Sequence, residues 1–261
     1  ACPSVTITRS TADEFYCEGS AVKINPTIVD ISEALGETYV HYENEPAAEV
    51  YDPGEPSVDE IAAVNGSYKD SFAEYGDAAI VVITRIGGEG FDLPRYQGST
   101  EGAVSEDSHY LELDQNEIDL LTAVTDGSFG KVIVVFNIPS AFEAAFLEDT
   151  AYAPFADKID AAIWTGFAGG EGIMALGKIL NGEVSPSGRL VDTWAADFSK
   201  DPTFVNFGTG PSPAYSDKYT NGQYYFVDYE EGVYVGYRHY ETSAMYDDEI
   251  WDVTTADSHL G

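Results

Sequence analysis

Residues 78–92 read AAIVVITRIGGEGFD, an apolar run that leads directly into a glycine-rich loop. Two further apolar runs occupy residues 132–138 (VIVVFNI) and 161–167 (AAIWTGF). None of the three alternates between apolar and polar residues, and continuous apolar runs are typical of strands buried on both faces of a parallel sheet. The three runs therefore predict strands of a parallel sheet that helices cover on both sides.

The segments around these runs carry helix patterns. Ser57 and Glu60 have the spacing of a capping box, as do Ser140 and Glu143. Asp114, with Glu117 three residues later, can cap another helix, and Asn181-Gly182 can end one. With a strand expected over residues 5–8, strands and helices alternate, which is typical of an α/β domain. The apolar stripes of the predicted helices are Ile28, Ile31 and Leu35; Ile118, Leu121 and Val124; and Ile173, Leu176 and Ile179.

The alternation predicts an αβα sandwich with a mostly parallel sheet over residues 1–210. Residues 211–246 are rich in tyrosine and have no helical period, so we expect an irregular aromatic-rich extension packed on the sandwich. The alternative is a surface on which sugar rings stack. Residues 247–261 have no clear pattern and are expected to be a linker or a truncated end.

The charge of the chain limits its partners. Twelve Lys and Arg face 46 Asp and Glu, which gives a formal net charge of −34. Nucleic acids and anionic membranes need a basic surface, so we expect neither as a partner, whereas a neutral ligand such as a sugar meets no such penalty. There is no signal-peptide pattern and no apolar stretch of the roughly 20 residues that span a membrane. The cellular location and the pairing of Cys2 with Cys17 stay open.

The glycine-rich loop after the first apolar run is the strongest candidate site. In open α/β sheets, ligands bind beyond the carboxyl ends of the strands. Gly87, Gly88 and Gly90 allow a sharp turn and a close approach to a ligand. The carboxyl of Glu89 can reach outward from this loop and serve as a general acid. The alternative is a glutamate that faces solvent in a turn.

Other chemistries find little support. The glycine cluster of residues 166–172 lacks the spacing GxGxxG, which favours a tight turn between strand and helix over a dinucleotide site. The four histidines have no metal-ligand spacing, and no GxSxG or P-loop motif occurs. We therefore expect no metal and no cofactor, and a nucleotide-binding α/β protein is the least favoured alternative.

Several segments, in order along the chain, resemble the α/β sandwich domain of family 3 glycoside hydrolases, the β-glucosidase and β-xylosidase group. Residues 79–92 (AIVVITRIGGEGFD) are similar to that family's strand and Gly-Glu-Gly loop. The other similar segments are 111–121 (LELDQNEIDLL), 131–139 (KVIVVFNIP), 162–192 (AIWTGFAGGEGIMALGKILNGEVSPSGRLVD) and 229–240 (YEEGVYVGYRHY).

The resemblance implies a flavodoxin-like sandwich that acts beside a (β/α)-barrel, which carries the nucleophilic Asp and is absent from this chain. It implies that Glu89 is the general acid/base. Arg85, Phe91 and Asp92 become candidates for lining the outer sugar site, the alternative being loop packing and a salt bridge.

The implied activity is retaining hydrolysis of a β-linked glycoside or oligosaccharide by the two domains together, in cis or in trans. We therefore expect this chain to be inactive alone. The alternative is a non-catalytic carbohydrate-binding or interaction module with the same fold.

Overall fold

The computed structural model describes residues 7–9, 15–17, 23–36, 55–85, 93–98, 102–148, 150–204, 229 and 231–246. Its strands form two separate sheets of three strands each, and one of its longer helices, Gln115–Thr125, connects the first two strands of the parallel sheet. The strands are β1 Ile7–Arg9, β2 Phe15–Cys17, β3 Lys23–Ile24, β4 Ala79–Thr84, β5 Val132–Asn137 and β6 Ala161–Trp164. The α-helices are α1 Pro26–Gly36, α2 Val58–Val64, α3 Gln115–Thr125, α4 Gly169–Leu180 and α5 Tyr237–Ala244.

The parallel sheet has the order β4-β5-β6, with Val81 opposite Val134 and Val135 opposite Ile163. It confirms the α/β class and the three predicted strands. The central strand β5 is buried on both faces, as expected. Strand β4 differs, because it borders the described sheet and one face leaves Ile80 and Val82 48% and 45% exposed. The prediction that every strand is buried on both faces is therefore wrong for β4, and also for β6, which is half-buried with Ala161 exposed.

The first sheet is antiparallel, in the order β1-β2-β3. The strand expected over residues 5–8 exists as Ile7–Arg9, but it pairs with β2 rather than joining the parallel sheet. The chain thus forms a small antiparallel sheet before α1 begins at Pro26.

The predicted caps of α2 and α3 are confirmed. The Ser57 hydroxyl accepts from the backbone N–H of Glu60, and the Glu60 carboxylate accepts from the N–H of Ser57. Asp114 and Glu117 form the same reciprocal pair at the start of α3. Each box satisfies helix N–H groups that otherwise have no partner, so the local sequence alone specifies where these helices begin.

The capping box predicted at Ser140 and Glu143 is wrong. No α-helix begins there, and the chain forms only a short 3₁₀ turn at Ala145–Leu147. The Glu143 carboxylate instead accepts from the backbone N–H of Phe198 and bonds to His109. The sequence has the spacing of a capping box, but the Glu143 carboxylate forms its hydrogen bonds with residues that are distant in the chain.

The aromatic-rich segment also departs from expectation, because α5 lies inside it. Tyr240 and Ala244, one helical turn apart, are the buried residues of this helix. Among the other described tyrosines of the segment, Tyr229 and Tyr246 are 73% and 86% exposed. The hydrophobic pattern did not predict this helix, because its buried side consists of one tyrosine and one alanine rather than a stripe of aliphatic residues.

The main core lies where β5 meets the segment that follows it. Phe136 of β5 contacts Phe142, Phe146 and Trp194, with ring centroids 5.5, 6.1 and 5.3 Å apart. This packing holds residues 138–146 and 194 against the carboxyl end of the parallel sheet. Among the described residues, the helices are all too short or too polar to cross a membrane.

Candidate functional site

Arg85, directly after β4, forms a buried ion pair with Glu117 of α3. Its Nη1 and Nη2 donate to Glu117 Oε1 and Oε2 at 2.6 and 2.8 Å, and both side chains are 1% exposed. Burial alone would lower the pKa of Arg85, but the Glu117 carboxylate outweighs burial and raises it. The guanidinium is therefore charged inside the domain and clamps the end of β4 to α3.

The remaining N–H groups of Arg85 bind three backbone carbonyls. Nε donates to the carbonyl of Tyr110 at 2.7 Å, Nη1 to that of Thr84 at 2.7 Å and Nη2 to that of Glu112 at 2.6 Å. The five donors of a guanidinium are thus all engaged within the protein. These contacts correspond to the salt bridge that was the alternative interpretation of Arg85, and they leave no donor for a sugar.

Glu55 is a second buried residue that contacts the end of β4. Its Oε1 accepts from the N–H of Thr84 at 2.8 Å, and its backbone carbonyl accepts from Asn116 Nδ2 at 3.1 Å. Burial, together with the negative charge of Glu117, raises the pKa of Glu55 to about 9. Burial therefore favours the neutral form of the Glu55 carboxyl, which limits the negative charge around Arg85.

The glycine-rich loop starts from this anchored strand end. Glu89, Phe91 and Asp92 lie outside the described residues, so their roles stay predictions. The described residues on the two sides of the loop are Arg85, held by the ion pair, and Leu93, which lines a cavity.

The cavity has a volume of about 890 Å³ and lies at the carboxyl end of the parallel sheet. Ser140 and Ala141, which come shortly after β5 in the chain, line the cavity. Leu93, which comes after β4 and the glycine-rich loop, lines it as well. This is where open α/β sheets bind ligands. The lining also includes four aromatic side chains, which offer flat apolar surfaces to a ligand. They are Trp194, Phe198, Phe204 and Tyr237.

His109 lines the cavity and is held by a buried carboxylate. Its Nδ1 lies 2.5 Å from Glu143 Oε1, and the Glu143 side chain is 5% exposed. The imidazole packs against Phe204 and Tyr96, with ring centroids 4.7 and 5.9 Å apart. The hydrogen bond that the imidazole makes to the Glu143 carboxylate raises the pKa of His109. Burial also raises the pKa of Glu143.

Sequence reasoning missed the interaction of His109 with Glu143. The two residues are 34 positions apart, and neither belongs to a recognised motif with the other. The only local signal was the Ser140–Glu143 spacing, which predicted a helix cap instead.

Among the residues that the structure describes, two groups of side chains bring ligand atoms within 4.8 Å of one another: His109, Glu143 and Asp197; and Glu55, Asp114 and Glu117. The second group surrounds the Arg85 guanidinium, which already supplies the positive charge. In the first group, Glu143 accepts from Phe198 and Asp197 accepts from the N–H of Ser199. Internal donors thus occupy one oxygen of each of these carboxylates, and we assign no metal to either group.

The fold and the cavity define an α/β domain with a cavity at the carboxyl edge of a parallel sheet. Residues 7–237 match the family model of the glycosyl hydrolase family 3 C-terminal domain. Because this match covers most of the 261 residues, the chain belongs to that family. The resemblance seen in the sequence is thereby confirmed.

Several known proteins are similar to this chain. "Beta-glucosidase A" of Butyrivibrio fibrisolvens is 31% identical over 181 residues, which is 65% of this chain and 19% of that protein. An exo-α-(1→6)-L-arabinopyranosidase of Bifidobacterium breve is 30% identical over 149 residues, or 56% of this chain and 17% of that protein. The crystal structure of a β-glucosidase from Paenibacillus barengoltzii has a TM-score of 0.53 and 27% identity, covering 82% of this chain and 19% of that chain.

The chain thus spans less than a fifth of the length of these three proteins. Their names describe whole enzymes of which this chain resembles one part.

Proposed function

We propose that this chain is the sandwich domain of a retaining β-glycosidase of the β-glucosidase type. It contributes the general acid/base, Glu89, and part of the sugar site. A (β/α)-barrel domain, in cis or in trans, contributes the nucleophilic Asp. The ligand is a β-linked glycoside or oligosaccharide.

The observation that carries this proposal is that Leu93, the first described residue after the Glu89 loop, lines the cavity. Within a family 3 C-terminal domain, the loop leaves the anchored end of β4 at Arg85 and returns at Leu93, a residue of the cavity lining. The buried ion pair of Arg85 with Glu117 makes the departure point rigid, and rigid support is what a catalytic group needs. The β-glucosidase relatives support the substrate class.

In the proposed reaction, the Asp of the barrel attacks the anomeric carbon while the Glu89 carboxyl protonates the departing oxygen. Glu89 then acts as the base that activates the water in the second step. A retaining mechanism needs the two carboxyl groups about 5–5.5 Å apart. One carboxyl cannot meet this requirement, so the chain is inactive without the barrel.

Substitution of Glu89 tests the acid role. In a protein that joins this chain to a barrel domain, Glu89→Gln should lower kcat far more for alkyl glucosides than for nitrophenyl glucosides. The reason is that a nitrophenolate leaves without protonation, whereas an alkoxide does not. The matched control is Glu106→Gln, which changes an exposed glutamate.

Two results would contradict the proposal. Equal losses on both classes of glucoside would assign the acid role to another residue. Turnover of an aryl β-glucoside by the purified 261-residue chain would show that no barrel is needed.

The second candidate function is a non-catalytic carbohydrate-binding module. The aromatic lining of the cavity favours it, because Trp194, Phe204 and Tyr237 can stack on sugar rings without any catalytic group. It predicts that sugars bind and that no barrel domain confers turnover. The same joined protein distinguishes the two functions.

A further inference from the structure

The cavity lining is far less acidic than the chain as a whole. The whole chain has 12 Lys and Arg against 46 Asp and Glu. The lining has three arginines, Arg95, Arg189 and Arg238, together with His109. These are three of the five arginines in the sequence. The acidic residues of the lining are also only three, Asp192, Asp201 and Glu241.

Two of these arginines, Arg189 and Arg238, form no ion pair with those acids in the described part of the chain. Asp201 accepts from the N–H and hydroxyl of Thr203 and from the Tyr240 hydroxyl at 2.9 Å. In the part of the chain that the structure describes, no ion pair within 4.0 Å involves Arg189 or Arg238. Both side chains are exposed, so their guanidinium groups can bind an incoming anion.

Arg95 and His109 lie along the aromatic wall of the same cavity. The Arg95 guanidinium lies over the Phe204 ring, 5.1 Å from its centroid, and His109 packs on the same residue. The bond of Nδ1 to Glu143 orients the imidazole. The hydrogen bond to Glu143, followed by the charges of Glu143, Glu112 and Asp197, raises the pKa of His109, and a protonated imidazole is paired with the Glu143 carboxylate.

We propose that the cavity binds a sugar that carries a carboxylate, with Arg189 and Arg238 contacting the carboxylate and the aromatic side chains contacting the ring. A guanidinium binds a carboxylate through two parallel hydrogen bonds, which a neutral sugar cannot reproduce. That the ligand is a sugar rests on the proposed function, whereas its carboxylate is inferred from the two arginines alone. The net charge of −34 does not prevent binding, because charges beyond about 8 Å are screened at physiological salt.

Calorimetry on the 261-residue chain tests the proposal with two probes of the same ring shape, methyl β-D-glucuronide and methyl β-D-glucoside. The glucuronide should bind at least tenfold more tightly. Arg189→Gln and Arg238→Gln should each weaken glucuronide binding about tenfold, the scale of one charge-assisted hydrogen bond, and leave glucoside binding unchanged. Lys178→Gln is the control, since it removes the same charge from an exposed residue outside the lining.

Equal affinity for the two probes, or Kd values that neither arginine variant changes, would overturn the proposal. The binding of inorganic phosphate and of acetate to the same chain is measured as well. If either ion binds as tightly as the glucuronide, the cavity is a plain anion site and the sugar assignment is wrong. Binding is measured without turnover, so the result is independent of whether Glu89 is catalytic.

Discussion

Replacement of Glu117 by glutamine removes the negative charge that faces Arg85 inside the domain. The substitution keeps the size and shape of the side chain. It leaves the guanidinium buried without a counter-ion at hydrogen-bond distance, because Glu117 is its ion-pair partner at 2.6 Å. The side chain of Glu117 also accepts from the backbone N–H of Asp114 at 2.9 Å as part of the α3 capping box.

The geometry determines the size of the effect. Both carboxylate oxygens of Glu117 accept from Arg85, and Oε2 accepts from Asp114 as well. Whichever way the glutamine amide turns, its NH₂ group therefore faces a donor. With both partners 1% exposed, water cannot replace the lost bond. Breaking a buried ion pair at one partner costs about 3–5 kcal/mol, a large part of the roughly 5–15 kcal/mol that stabilises a domain.

Urea unfolding followed by tryptophan fluorescence measures this loss, because Trp194 lies in the core beside Phe136. The matched control is Asp126→Asn, the same acid-to-amide change in the ion pair of Asp126 with Lys158. That pair is 3.2 Å long, and its side chains are 68% and 46% exposed. The control should change the free energy of unfolding by less than about 1 kcal/mol.

A loss of less than about 1 kcal/mol for Glu117→Gln, or one equal to that of the control, would refute the reasoning. It would mean that the interior around Arg85 is accessible to water. The strand end that precedes the Glu89 loop would then lack the rigid support proposed for it.

Two further predictions concern stability. Because burial raises the pKa of Glu55 to about 9 from 4.5, the folded state holds a proton that the unfolded state loses between these values. The free energy of unfolding should therefore fall by up to about 1.4 kcal/mol for each pH unit between 6 and 9, and Glu55→Gln should remove this slope in urea titrations. An unchanged slope would exclude Glu55 as its source. Ser57→Ala removes the acceptor of the α2 capping box and should cost about 1 kcal/mol in thermal unfolding, whereas Ser67→Ala, where no side-chain cap exists, should cost less. Equal losses would show that the box contributes nothing.

The successful predictions depend on residues that are close in the sequence. The apolar runs that became β4, β5 and β6, and the capping boxes of α2 and α3, each involve fewer than ten consecutive residues. Their energies come from neighbours along the chain, so the pattern alone indicates the element. The Ser140–Glu143 spacing shows where local patterns fail. The Glu143 carboxylate forms hydrogen bonds with His109 and with the backbone N–H of Phe198 instead of capping a helix.

The amino-acid sequence by itself determined the α/β class, the family and the candidate catalytic loop, because these depend on local patterns and on motifs in a given order. Only the tertiary structure decided that Arg85 is an internal anchor, that His109 is oriented by Glu143, and that three arginines line one cavity. Arg85 and Glu117 are 32 residues apart, and His109 and Glu143 are 34 apart. Buried charges acquire their partners only when such distant segments fold together, and no spacing along the chain encodes that choice.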